Sequence, residues 1–362
     1  MSGFGLVRPP ALASATVLRD ELFRLDMGRQ QESWAKARVI VLDDEGRATV
    51  ELPGSPRAQR PEQVGGAPES SPSSSSDDTD AAADAGIGGA ARLVTRSGAS
   101  VAASPPAGAV LLGEADGTVY WALRADRADG GAAAGPGAEE VAKTRWLNLA
   151  TVGGELVGLD AALFTTAVAL LTWHDRARFC ARDGSPTRPT KAGWARVCAA
   201  GEHEEFPRTD PAIICLVHDG ADQILLGRQA TWPAGRFSVL AGFVEAGESL
   251  EACVAREINE EVGVDVTDVS YLGSQSWPFP RSLMLAFHAA ADPSQPIRLD
   301  DSEIAEAMWV HRRDLDEALG RGDWRGGADG QLLLPGHSSI ARIMIESWAA
   351  HRDSIRGISA RL

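Results

Sequence analysis

The stretch from Gly242 to Val264 restricts what this chain can fold into more than any other. Within it Leu250, Val254, Ile258 and Val262 recur every four residues, the spacing of a helix with one apolar stripe. A helix is expected over Glu248–Val262, with Gly263 where a helix-ending glycine would stand. Glu257, Glu260 and Glu261 fall at i, i+3 and i+4 and share a neighbouring face. Like charges so placed cost an exposed helix about 0.2–0.5 kcal/mol per pair. Such a cluster is ordinarily a solvated face, but it is also a set of hard oxygens suited to Mg²⁺ or Mn²⁺. Gly242 and Gly247, just upstream, let backbone approach a bound group closely.

The 362 residues leave room for two domains. Hydrophobic residues at 44% and charged residues at 23% suit a soluble globular protein. A net charge of −15 argues against a broad electrostatic grip on nucleic acid, so a bound polyanion would need a local site or cations. The four cysteines, Cys180, Cys198, Cys215 and Cys253, are too few for a disulfide framework and fit a cytoplasmic setting. The first residues lack a basic stretch followed by an apolar one. No run approaches the roughly 18–20 apolar residues of a membrane span, and the longest, Ala161–Trp173, is broken by threonines.

Composition divides the chain. Ser55 to about Arg92 is Pro, Ser, Gly, Ala and Asp, too polar to offset the entropy of ordering, and reads as a disordered insertion. Asp129–Glu140 reads as a loop. Around them Ala37–Leu42, Ala48–Leu52, Ala109–Leu112 and Val119–Leu123 are strand-like, and Asp116-Gly117 suits a hairpin turn. Residues 1–150 therefore read as a mostly β amino-terminal domain. Leu159–His174 is a helix candidate. Phe179–Arg208 shows little periodicity, and residues 151–206 read as a linking segment. Beyond it, Ala212–Val217 and Gln223–Leu226 flank the turn Asp219-Gly220. Phe237–Leu240, Val269–Leu272 and Leu283–Ala289 read as further strands, and Ile340–His351 as a closing helix. Strands interleaved with helices indicate an α/β class for residues 207–352.

Gly242, Glu248 and then Arg256-Glu257-Ile258-Asn259-Glu260-Glu261-Val262-Gly263-Val264 match every defined position of the Nudix box. This resemblance implies an α/β/α sandwich that binds Mg²⁺ or Mn²⁺ and hydrolyses a nucleoside diphosphate linked to another group. By resemblance, Glu257 and Glu261 are metal ligands and Glu260 is a ligand or orients water. Glu248 and Arg256 are a supporting ion pair.

Behind the box, Ser274-Gln275-Ser276-Trp277-Pro278-Phe279-Pro280-Arg281-Ser282 resembles the Ser-Gln-Pro-Trp-Pro-Phe-Pro-x-Ser motif of the NADH pyrophosphatase subfamily, with Ser276 in place of a proline. Alone, two prolines and two aromatics would read as a rigid, packed turn, which Ser276 would loosen. Phe206-Pro207-Arg208-Thr209-Asp210-Pro211, Trp173-His174 with Phe179-Cys180, the Ala109–Leu123 hairpin and Asp160-Ala161-Ala162 also resemble that subfamily. The resemblance implies cleavage of NADH or NAD to a nicotinamide mononucleotide and AMP, and removal of NAD caps from RNA 5′ ends. It implies a homodimer in which the Trp-Pro-Phe-Pro loop reaches the partner's site. Carried over by position, Glu303 is a further metal ligand. Phe206, Phe243 and Trp277 stack on a ring. Gln275, Ser276, Trp277, Pro278, Phe279, Pro280, Arg281 and Ser282 line the pocket with backbone at Ala241 and Ala341.

The subfamily's zinc ribbon carries two Cys-x-x-Cys pairs. Here they read Cys180-Ala-Arg-Asp183 and Cys198-Ala-Ala-Gly201, so two thiolates are missing. Structural zinc is nearly always four-coordinate. Asp183 and His203 are possible replacements, but the spacing of His203 is off. The expectation is a ribbon-like remnant held by packing, without zinc, and histidines that are structural or on the surface. Two other readings share the box. One is a pyrophosphatase for ADP-ribose or another dinucleotide, which would not need the Trp-Pro-Phe-Pro loop. The other is a non-catalytic sensor, which would be expected to have lost box carboxylates.

Overall fold

The computed structural model describes residues 4–13, 17–53, 90–125, 144–156, 158–299, 303–324 and 331–351. The loop expected at Asp129–Glu140 and most of the expected insertion lie outside them. Two short helices, α1 (Glu21–Leu25) and α2 (Met27–Trp34), lead into a seven-stranded sheet. Its strands are β1 (Arg38–Leu42), β2 (Arg47–Glu51), β3 (Arg92–Leu93), β4 (Arg96–Ser97), β5 (Val110–Ala115), β6 (Thr118–Arg124) and β7 (Thr144–Asn148). Helix α3 (Gly98–Val101) follows β4 and α4 (Leu149–Val152) follows β7. The β5–β6 hairpin turns at Asp116 and Gly117, with φ of 49° and 70°, both in the left-handed region that a tight two-residue turn requires. Arg92 pairs with Glu51 and Ala91 is buried, so the end of the expected insertion belongs to the sheet.

Alternation along β1 sends Val39 to one face, against Phe23, Trp34 and Trp121, and Ile40 and Leu42 to the other. That second face is covered by α5 (Leu159–Arg176), whose Ala161, Phe164, Val168 and Leu171 are buried in the same cluster. Helix α5 is thus part of the first core rather than a link, because an apolar sheet face without it would stand open to water.

Three strands, β8 (Thr187–Thr190), β9 (Ala195–Cys198) and β10 (Glu204–Glu205), form a small antiparallel sheet where little periodicity is visible. Next come β11 (Asp210–His218), β12 (Gln223–Gln229), β13 (Leu240–Phe243), α6 (Leu250–Val262), β14 (Thr267–Trp277), β15 (Ser282–Ala290), β16 (Ile304–His311), α7 (Arg312–Arg321) and α8 (Ile340–Ala350). The sheet order is β14-β15-β11-β12-β16, with β13 also on β11. Central strand β11 is buried on both sides. Ile213, Cys215 and Val217 pack against Val254, Ile258 and Val262 of α6, while Ile214 and Leu216 face Ile340, Met344 and Trp348 of α8. This is the expected α/β/α sandwich. The third expected strand falls at Leu240–Phe243 rather than Phe237–Leu240, since residues 240–243 are those that pair with β11. Ser276 pairs with Leu283 inside β14, so it does not loosen the turn, which begins after Trp277.

Several contacts tie the halves together, among them a hydrogen bond from Gly154 N–H to Ser338 Oγ at 3.0 Å. Trp277 and Phe279 pack against the first domain's core. The first residues cross back: Phe4 is buried on the second sheet, and Val7 N–H donates to Ser347 Oγ at 3.0 Å. Among the described residues, no helix is long and apolar enough to cross a membrane.

Candidate active site

Helix α6 begins at Ser249, whose side chain accepts from Ala252 N–H, and ends at Gly263 with φ of 69°. Its apolar stripe is buried and turns the glutamates toward the edge of β13. There Gly242 matters for a steric reason. A Cβ on it would lie 1.9 Å from Glu257 Cδ, so only glycine lets that carboxylate rest against the strand backbone.

Arg256 organises the rest. It donates to Glu248 Oε1 at 2.6 Å, Glu257 Oε1 at 2.9 Å, Glu260 Oε2 at 2.8 Å and the Phe243 carbonyl at 3.0 Å. The hydrogen bonds from Arg256 hold the Glu248 carboxyl down to about 2. Burial pushes Glu257 up, against the pull of Arg256. Glu260 remains 59% exposed at its side chain.

Glu261 differs from its neighbours. It is 4% exposed, and its Oε2 has no hydrogen-bond partner among the described residues. Burial, then the charges of Glu303 and Glu257, push its carboxyl up to about 8. Such an acid is ionised only at a cost, and a cation at the free oxygen removes that cost. The unfolded chain ionises near 4.5, so this group withdraws stability as pH rises from there to about 8. The site thus fits a divalent metal: one unsatisfied buried carboxylate with Glu257 and Glu303 close enough to raise its pKa.

Glu261 lines a cavity of about 370 Å³, with Ala241, Trp277, Ser339 and Ile340 also in its wall. Other expected pocket residues lie outside it. Gln275, 1% exposed, donates Nε2–H to the Ser338 carbonyl at 2.9 Å just behind the wall. Pro278, Phe279 and Pro280 face a second cavity shared with Arg124 and Asp175 of the first domain. Arg281 donates to Asp210 at 2.8 Å, and Ser282 pairs with Asp210 in the sheet. Ser276 is half-buried within β14, and Ala341 is buried beside Ile340. Phe243 is 58% exposed at the end of β13. Phe206, also exposed, lies in a third cavity with Phe179 and Arg208, which none of the α6 glutamates lines. Only Trp277 of the three expected stacking rings shares the glutamate cavity, and it does so within its own chain. Trp232, Trp324 and Ala150 also line that cavity. No motif marked them: Trp232 and Trp324 stand in loops and Ala150 in α4, outside both the box and the Trp-Pro-Phe-Pro segment.

A family model described as the NUDIX domain matches residues 208–327, and one described as the NADH pyrophosphatase zinc ribbon domain matches residues 175–206. NAD-capped RNA hydrolase NudC of Mycobacterium tuberculosis (strain H37Rv) is 52% identical over 260 residues, which cover 72% of this chain and 81% of that protein. The chain belongs to the Nudix hydrolase family. The mitochondrial NAD(P)H pyrophosphatase NUDT13 of Homo sapiens is 39% identical over 218 residues, 59% of this chain and 62% of that protein.

The ribbon ahead of the Nudix domain, expected as a remnant without zinc, brings the possible ligands together. Ligand atoms of Cys180, Asp183, Cys198 and His203 all lie within 4.8 Å of one another. Cys180 Sγ is 3.4 Å from His203 Nδ1, and Cys198 Sγ is 3.5 Å from Asp183 Oδ2. Tetrahedral zinc with bonds of about 2.0–2.3 Å needs donors roughly 3.3–3.8 Å apart. Gly201 explains why the spacing of His203 misleads. A Cβ there would lie 2.3 Å from His203 Nε2, so the imidazole fills the space a side chain at 201 would have taken. The Cys180–His203 and Cys198–Asp183 pairs sit at zinc-like spacing, and two thiols, a carboxylate and an imidazole are donors of a kind zinc takes.

Replacing Gly242 by alanine should displace the Glu257 carboxylate while leaving the fold intact. Misplacing a catalytic group by about 1 Å can cost on the order of 100-fold. Steady-state kinetics should show a loss of that size with an unchanged circular dichroism spectrum; wild-type turnover would contradict the role of the close approach.

Proposed function

We propose that this chain cleaves the diphosphate of NAD and NADH, giving a nicotinamide mononucleotide and AMP, and removes NAD caps from RNA 5′ ends. The observation that carries this reading is Glu261: a buried carboxylate with an unspent oxygen, in the wall of an apolar cavity that also holds Trp277. The identity to an NAD-capped RNA hydrolase supports the substrate. Glu257, Glu260, Glu261 and Glu303 would hold Mg²⁺ or Mn²⁺. Bound metal supplies charge neutralisation at the diphosphate and a more acidic attacking water. The chain's own groups do the rest. Arg256, braced by Glu248, fixes Glu257 and Glu260. Trp277 offers a ring face to the nicotinamide half. The new bond joins the water oxygen to phosphorus, and the anhydride P–O bond breaks. Every box carboxylate is present, which sets aside the sensor reading.

The ribbon is read as a structural zinc site of two thiolates, one carboxylate and one imidazole. The exposed Phe179 and Phe206, beside Arg208 and Arg281, support a homodimer that covers this patch. Four unpaired cysteines support a cytoplasmic setting.

Two experiments test these readings. With Mn²⁺ and NADH in ¹⁸O-water, the wild type should yield reduced nicotinamide mononucleotide and AMP, one of them labelled. Glu260→Gln should lower kcat by about 100-fold or more. Cleavage of ADP-ribose with NADH spared, or an active variant, would overturn the assignment. For the ribbon, protein purified without chelator should carry one zinc per chain, and His203→Ala much less. A zinc-free wild type would refute the site.

A further inference from the structure

Two segments that wall the glutamate cavity converge on one buried guanidinium. The first is the turn after α7, which carries Trp324; its ring packs on Trp232 with centroids 4.7 Å apart. The second runs from Pro335 to Ser339 and leads into α8. Arg342 lies in the first turn of α8 and is 3% exposed. It donates to the carbonyls of Leu319 at 3.2 Å and Gly322 at 2.6 Å, at the end of α7. It also reaches the Pro335 carbonyl at 3.5 Å. The last carbonyls of a helix have no partner within it, so Arg342 satisfies groups that α7 leaves open.

A guanidinium buried this deeply needs a counter-charge. Glu346, one turn along α8, supplies it: Arg342 Nε–H donates to Glu346 Oε1 at 2.7 Å. The same carboxylate meets Arg8 Nη2 at 2.7 Å and His337 Nδ1 at 3.6 Å. The first residues of the chain thus cross α8 at the group that holds Arg342.

Arg312 makes the comparison that separates packing from function. It is 8% exposed and donates to the carbonyls of Trp348 and Ala349 at the other end of α8, and to Asp222 at 2.9 Å. None of its partners lines the cavity. The two arginines are alike in burial and in the kind of group they bind. They differ in what the bound segments carry.

We infer that Arg342, held in place by Glu346, is a positioning residue for the reaction. It touches no substrate and does not line the cavity. It fixes the Trp324 turn against the Pro335–Ser339 segment, so that the wall is formed before substrate arrives. Binding then escapes the cost of ordering these segments, a cost that otherwise falls on affinity. This rests on the cavity being the NAD(H) site and adds the group that builds its wall.

The test measures NADH hydrolysis, Mn²⁺ affinity and melting temperature for the wild type, R342K, R312K, E346L and E346Q. Lysine keeps the charge but lacks the planar fork that spans both segments. R342K should raise KM about 10-fold or more and lower kcat less than about threefold, the pattern of lost binding rather than lost chemistry. R312K should lower the melting temperature while leaving KM within about twofold of the wild type. E346L should follow R342K, and E346Q, which keeps an acceptor for Arg342 Nε, should recover part of the loss. Mn²⁺ affinity within about twofold of the wild type certifies that a variant is folded and its glutamates intact; if R342K does not fold, E346Q carries the test. A wild-type KM in R342K and E346L would overturn the proposal. So would a rise in KM that R312K shares, or a loss confined to kcat and Mn²⁺ affinity. If the wild type cleaves no NADH, the diphosphatase reading fails on its own. The positioning role is then read from binding of reduced nicotinamide mononucleotide, which R342K should weaken and R312K should not.

Discussion

The buried carboxylate of Glu261 is the constraint on which the site depends. A carboxyl at 4% exposure with one unpartnered oxygen and two acidic neighbours is a poor anion. Replaced by an apolar side chain, the same position would simply extend the core that Val262 and Ile258 already form. Its presence makes sense as one half of an interaction whose other half is a cation. The surrounding construction preserves that imbalance. Arg256 spends its donors on Glu248, Glu257 and Glu260, and no bond from it to Glu261 is formed among the described residues. Positive charge is thus supplied beside the deepest glutamate without satisfying it.

The fold delivers this arrangement through β11 and α6. With β11 buried on both faces, one side seats the helix and the other seats α8, so the glutamate edge of α6 is fixed relative to the cavity. The loop after β14 then joins the site to the first domain. Trp277 lines the cavity and also packs against the α5 core, and Ala150 of the first domain reaches the cavity wall. The amino-terminal domain is therefore part of the pocket's construction as well as a scaffold.

Much of this was legible from local pattern. The four-residue stripe, Ser249 and Gly263 marked α6, and the box spacing named its carboxylates. The hairpin at Asp116-Gly117 needed only two residues that tolerate positive φ. Features that depend on distant chain meeting in space were not legible. Helix α5 looked like a link because its partners are strands far from it in sequence. Phe4 gives no local sign that it docks on the second sheet. Trp232 and Trp324 become a pair only when β12 and α7 are folded. The spacing of His203 does not reveal that its ring reaches Cys180, because spacing counts residues, whereas Gly201 frees the volume that the ring occupies. Phe206 matched its motif, yet within one chain it lies in another cavity.

The most direct test of the account is the proton count on metal binding. With the Glu261 carboxyl at about 8, the metal-free protein holds that proton at pH 7, and a metal taking the carboxylate must expel it. Mn²⁺ titrations by calorimetry at pH 7, in buffers of different ionisation enthalpy, should show release of about one proton per metal bound. Affinity should rise as pH is raised toward about 8 and then level off. Metal binding with no proton release and no dependence on pH across that range would contradict the account.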